Sequence, residues 1–230
     1  MTKMIKMKLA SLISSGKDSL FAAYLEKQKG NEIKCFITIE SENPYSYMFH
    51  PDVSLVKLQA KSSGIPLITE KTKGKKEEEL KDLKKAIEKA KEKYKIDGIT
   101  TGALFSNYQA TRINKICEEL GIKCISPLWH MDQEKELRSL LENYFEFILV
   151  KVAAEGLDKK WLGKVIDEKM IDKLKIVNED TPINIAGEGG EYESLVLNCP
   201  LFKKRIELKK FDVKEDGRVA WLDIKKAKIV

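Results

Sequence analysis

This 230-residue sequence has no apolar stretch approaching the roughly 20 residues that a membrane-spanning helix requires. Met1-Thr2-Lys3-Met4 leads into no secretory signal core. A cytoplasmic location without a membrane partner is expected. Cysteine is scarce: Cys35, Cys117, Cys124 and Cys199 are scattered, form no C-x-x-C pair and have no histidine at a zinc-site spacing. That argues against structural zinc or a disulfide framework, and for reduced thiols with packing roles. His50 and His130 are the only histidines, and neither has the partners of a catalytic triad. Internal repeats and low-complexity tracts are absent. No sign of charge dominates, since 42 Lys and Arg against 36 Asp and Glu leave +6 and much of the charge is interleaved. Direct nucleic-acid binding is therefore not expected, although the small positive excess suits ATP or an acidic partner. With four glutamines among abundant Lys and Glu, the composition is that of a heat-adapted protein.

What is present is a regular alternation of apolar runs and amphipathic segments. Leu9 to Ile13 reads as a strand, Leu20 to Leu25 as part of a helix stopped at Gly30, and Ile33 to Ile39 as a second buried strand. A polar and aromatic loop, Glu40 to His50, precedes a helix opened by Pro51-Asp52 and stopped at Gly64; Ile65 to Thr69 is a short strand. Within Lys71 to Lys95, Leu80, Leu83, Ile87, Ala90 and Tyr94 recur at helical spacing, predicting a solvated helix with one buried stripe. Strand 96–103, helix 106–120, strand 122–126, helix 132–144 and strand 145–153 continue the series. The pattern predicts an α/β fold with a doubly wound, mostly parallel sheet over residues 1–153 and ligands at the carboxyl ends of its strands. From residue 154 the texture changes to short helices over 156–167 and 168–177, then strands near 194–197, 205–213 and 218–224, with a hairpin signal at Asp216-Gly217. A smaller α+β domain over 154–230 is expected.

Between the first strand and helix lies Ser14-Ser15-Gly16-Lys17-Asp18-Ser19. Small residues let backbone N–H groups approach an anion, and the helix N-terminus adds positive potential behind them. A Walker A loop would need a hydroxyl residue after Lys17 and a glycine at position 11; Asp18 and Ser11 stand there instead. By residue type, Ser14, Gly16 and Ser19 contact phosphates, Ser15 can still donate, Lys17 neutralises charge, and Asp18 holds Mg²⁺ directly or through water. An ordinary capped strand-to-helix turn is the plainer alternative. A second run, Gly102 to Arg112, lies where a strand yields to its helix. Ser106 and Gln109 have capping-box spacing, which suffices to explain them without excluding ligand contact. Arg112 is not required by a cap and is a candidate clamp for phosphate oxygens. Trp129 follows the next strand at the same rim, as ligand contact or as core. Farther on, Gly187 to Ser194 gathers three carboxylates and three glycines, so Glu188, Glu191 and Glu193 repel one another unless a cation sits among them. A solvated acidic turn is the alternative there.

The first loop resembles S-G-G-x-D-S of the N-type ATP pyrophosphatases, with Ser15 in place of the usual glycine. That likeness places adenine near the backbone of Phe36, Ile37 and Thr38. A narrower resemblance covers nearly the whole chain: the loop 14–19, Met48-Phe49-His50, Gln59-Ala60, Gly64-Ile65-Pro66, Gly102 to Arg112, Pro127-Leu128-Trp129 and Gly187 to Glu193 look like the diphthine–ammonia ligase family. The resemblance implies that ATP activates the carboxylate of a modified histidine, diphthine, on elongation factor 2, and that ammonium then yields the amide, AMP and pyrophosphate. Lys17, Asp18 and Arg112 would be catalytic, Ser14 to Ser19, Ile37, Thr38, Gly102, Ser106, Gln109 and Arg112 would bind ATP, and Trp129, Glu188, Glu191 and Tyr192 would bind the acceptor's trimethylammonium group, with Tyr45 and Tyr47 within reach. No glutaminase signature is present, which points to free ammonia. A homodimer is compatible with this reading. The competing readings are a tRNA-modifying ATP pyrophosphatase, for which cysteine pairs and a basic RNA-binding module are missing, and a non-catalytic ATP sensor.

Overall fold

The structure, a computed structural model, describes residues 6–43, 49 and 53–230. Tyr45, Tyr47, Met48, His50 and the Pro51-Asp52 helix opening lie outside the described residues. The chain divides into two compact units, residues 1–129 and 130–230.

In the first unit, strands β1 (Lys8–Leu12), β2 (Glu32–Ser41), β3 (Leu67–Thr72), β4 (Gly98–Thr100) and β5 (Lys123–Ile125) alternate with helices α1 (Lys17–Gln28), α2 (Ser54–Ser63), α3 (Glu79–Tyr94) and α4 (Asn107–Glu119). All strand pairs are parallel, in the order β3-β2-β1-β4-β5. The order reverses between β1 and β4, and in such sheets that junction opens a crevice at the carboxyl ends of the strands. One face of the sheet, through Ala10, Ile37, Ile39 and Ile99, packs against Leu83, Ala86, Ile87 and Ala90 of α3 and Ile113, Ile116 and Cys117 of α4. The predicted stripe on the charged helix is this buried surface. Helix α1 ends where Gly30 turns left-handed at φ 89°, and α2 ends at Gly64, φ 71°.

The second unit contains α5 (Gln133–Glu142), β6 (Glu146–Val152), α6 (Glu168–Asp180), β7 (Tyr192–Asn198), β8 (Ile206–Asp216) and β9 (Val219–Ile229). Its sheet is antiparallel, in the order β7-β6-β9-β8. Gly217, at φ 58°, stands in the tight turn joining β8 to β9. Two expectations differ from this arrangement. The apolar run 145–153 does not close the parallel series: β6 pairs with β7 and β9, so the division falls between Trp129 and His130 instead of after residue 153. Helix α5 goes with it, tied to α6 by Arg138, which donates to Asp172 at 2.8 Å and to Glu168. Over 156–167 the chain forms only a short 3₁₀ turn, Lys159–Trp161. No helix among the described residues is long and apolar enough to cross a membrane.

Candidate active site

Strand β1 delivers the loop 14–19 to the sheet's crevice, and the loop closes on itself. Ser14 N donates to Ser19 Oγ at 3.2 Å, and Ser19 Oγ donates to Gly16 O at 3.1 Å. Helix α1 starts directly after Gly16, so its first-turn N–H groups, which have no partner within the helix, face the mouth of the loop. Ser15 adopts φ 72°, the left-handed region where a Cβ is strained. Glycine would adopt that conformation without the strain. The loop is also held from outside: Gln59 of α2, fully buried, donates through Nε2 to Ser15 O at 3.0 Å.

The Lys17 side chain is only 1% exposed, and its Nζ lies 2.5 Å from Asp18 Oδ1. Cation and carboxylate thus neutralise each other at the loop. The Asp18 side chain remains 26% exposed. Among the described residues no group of three or more His, Cys, Asp or Glu could hold a metal. A single carboxylate nonetheless fits Mg²⁺, which keeps several waters and takes its other ligands from a substrate's phosphates.

The end of β4 presses against this loop. A Cβ built on Gly102 would stand 2.6 Å from both Asp18 C and Ser19 N, so the approach requires glycine. Beyond it, Ser106 caps α4 by accepting from Gln109 N at 3.4 Å, as the capping-box spacing predicts. Ile37 belongs to the core cluster, and its carbonyl accepts from Ile13 N at 2.9 Å, while Thr38 is buried on the opposite face of β2. Trp129 is half-buried, and its backbone N–H donates to Ser126 O at 3.1 Å.

Arg112 is engaged within the first unit. Its Nε and Nη2 donate to Glu77 Oε1 at 2.8 and 2.5 Å, Tyr108 OH donates to the same oxygen at 2.9 Å, and the guanidinium lies 3.5 Å from the centre of the Tyr108 ring. The hydrogen bond from Arg112 holds the Glu77 carboxyl below its ordinary pKa, and the same bond raises that of Arg112. No local pattern singles out Glu77, and Gln59 stands out only in the family resemblance. Glu77 sits in a run of charged residues, Gln59 on an amphipathic helix, and each acts on a partner 35 or 44 positions away.

In the second unit the glycine-rich loop is organised by its own side chains. Glu191 Oε1 accepts from Asn184 N at 2.9 Å and Oε2 from Gly189 N at 2.8 Å. Tyr192 is buried and donates to Ile185 O at 2.7 Å; a Cβ on Gly187 would meet its ring at 2.8 Å. Glu193 pairs with Lys151, 2.9 Å away on the neighbouring strand. Glu188 is half-buried in the same loop. The cysteines are free thiols, and burial pushes Cys35 up to about 12, consistent with a packing role.

The sequence matches two family models, the diphthamide synthase N-terminal domain over residues 7–124 and the diphthamide synthase C-terminal domain over residues 132–230. The division between them coincides with that between the two compact units. A diphthine–ammonia ligase of Schizosaccharomyces pombe is 37% identical over 95% of this chain, which spans 39% of that protein's length. A diphthine–ammonia ligase of Rattus norvegicus is 34% identical over 87% of this chain and 82% of its own. A solved structure described as a predicted subunit of tRNA methyltransferase from Methanocaldococcus jannaschii superposes with a TM-score of 0.44 at 18% identity, over 84% of this chain and 98% of that one. With both domain models matched in order and relatives aligned along most of its length, the chain belongs to the diphthamide synthase family.

Proposed function

We propose that the chain amidates the diphthine carboxylate of elongation factor 2 with ammonia at the expense of ATP, releasing AMP and pyrophosphate. The observation that carries the reading is the loop 14–19 packed against Gly102 at the reversal of strand order, in a chain whose two halves match the two diphthamide synthase domains. The chemistry has two steps. A carboxylate oxygen of the acceptor attacks the α-phosphorus of ATP and expels pyrophosphate; ammonia then attacks the acyl carbon, loses a proton and displaces AMP. Activation is needed because a bare carboxylate would have to expel oxide.

In this scheme the first-turn N–H groups of α1 and the hydroxyls of Ser14 and Ser19 bind phosphate oxygens, and Lys17 exchanges its bond to Asp18 for one to the nucleotide. Mg²⁺ bound at Asp18 would supply charge compensation on the departing pyrophosphate. Arg112 clamps a second set of phosphate oxygens, and the backbone of Ile37 and Thr38 borders the base. Trp129, Glu188, Glu191 and Tyr192 serve the acceptor, the last two by shaping the loop that carries them. Cytoplasmic residence and heat adaptation belong to the same reading.

The test combines purified chain, ATP, ammonium and elongation factor 2 bearing diphthine, with AMP and the acceptor's mass as readouts. AMP formation that needs both ammonium and acceptor is expected. Folded Asp18→Ala should lose it, by several kcal/mol at the transition state. ADP as product, or activity on transfer RNA instead, would overturn the assignment.

A further inference from the structure

Exposed arginine–glutamate pairs contribute little on their own, because two long side chains must be ordered against solvent screening. The arrangement around Arg112 is of another kind. Three donors converge on one oxygen, Glu77 Oε1: Arg112 Nε, Arg112 Nη2 and Tyr108 OH. The Tyr108 ring, one helical turn before Arg112 on α4, fixes the plane of the guanidinium at 3.5 Å. Glu77 reaches this position from the turn that opens α3, with its backbone at φ 66°. Helices α3 and α4 lie on the same face of the sheet, and both begin at the carboxyl ends of its strands, the edge at which Gly102 meets the phosphate loop.

The choice of edge is informative. Glu77 takes the Nε–Nη2 side of the fork. The remaining nitrogen, Nη1, makes only a long bond of 3.4 Å to Tyr108 O. Arg112 is thus tied down along one edge while the other stays available, and a planar donor ordered before its ligand arrives loses less freedom on binding.

We propose that Glu77, with Tyr108, is a positioning residue that holds Arg112 in the orientation needed to clamp the phosphate chain of ATP. The inference rests on Arg112 having that clamping role. It is tested in the full-length chain with Glu77→Gln, Arg112→Ala and their combination, by ATP affinity, kcat and KM for AMP formation, and thermal midpoint. Glu77→Gln should lower kcat/KM by about ten- to a hundredfold, with a midpoint near that of the parent, and should cost nothing further once Arg112 is alanine. Tyr108→Phe keeps the stacked ring and the charge but removes one donor; its smaller loss should vanish in the same background. Losses that multiply in the double variant would show that Glu77 acts independently of Arg112 and overturn the proposal. So would a Glu77→Gln protein with parental kinetics beside an impaired Arg112→Ala protein, or one that binds ATP more tightly. If Arg112→Ala itself is kinetically silent, the clamp fails and the positioning role fails with it.

Discussion

Replacing Gly102 with alanine adds one methyl group at the place where the chain leaving β4 meets the loop 14–19. Built on the existing backbone, that methyl lies 2.6 Å from Asp18 C, 2.6 Å from Ser19 N and 2.8 Å from Asp18 O, whereas ordinary contacts run from 3.4 to 4 Å. All three atoms are backbone, so no side chain can swing away. Relief requires the loop or the strand end to move by about 1 Å. Overpacking of this kind costs about 1–3 kcal/mol, which for a chain of this length lowers the thermal midpoint by about 2–12 °C. The rate should fall as well, because the displaced atoms carry the residues proposed to meet the phosphates; a misplacement of about 1 Å can cost on the order of a hundredfold in rate. The assay is AMP formation under saturating ATP, set beside nucleotide affinity and the unfolding midpoint. An alanine variant with parental midpoint and parental kcat would refute the described contact between β4 and the loop, and with it the argument that glycine is required there.

Two further substitutions test the local geometry. Ser15→Gly removes a Cβ from a left-handed backbone, a strain of about 1–2 kcal/mol, against about 0.5–1 kcal/mol for glycine's freedom in the unfolded chain. Denaturant unfolding should show a small net gain, and a loss would mean that the loop is not strained at φ 72°. Glu191→Gln puts an amide N–H₂ against one of the two backbone N–H groups at Asn184 and Gly189, which should destabilise by roughly 1–3 kcal/mol. An unchanged thermal midpoint would show that Glu191 does not organise this loop.

Local patterns carried much of the fold into the sequence. The Ser106 cap, the stripe Leu83–Ile87–Ala90 and the stops at Gly30 and Gly64 each depend on residues within one or two turns, and each stands where spacing put it. The run 145–153 was legible as a strand but not as a member of a particular sheet. A short apolar strand buries both faces equally well in a parallel layer or an antiparallel one; its pairing partners on β7 and β9 lie 40–70 residues farther along and leave no mark on its own periodicity. The same limit applies to the site. The loop 14–19 announces itself through residue type, and Gln59 and Gly102 stand out in the family resemblance, whereas their contacts with the loop become visible only when distant segments meet.

The acidic loop of the second unit shows where charge counting stops being informative. Three carboxylates within six residues repel one another when solvent is their only other partner. A chain that turns as sharply as 184–191, with Gly187 and Gly190 both left-handed, aims its own N–H groups inward. Glu191 accepts two of these, and Glu193 faces Lys151 across the ladder. Glu191 and Glu193 therefore find partners within the unit, and the electrostatic case for a cationic ligand loses most of its force. What survives is a structural requirement: Gly187 must lack a side chain for Tyr192 to pack, and both Glu191 oxygens must accept backbone N–H groups for the turn to close. The motif is consequently a rigid loop first, and whatever it contributes to acceptor recognition must come from the shape that this internal bonding fixes.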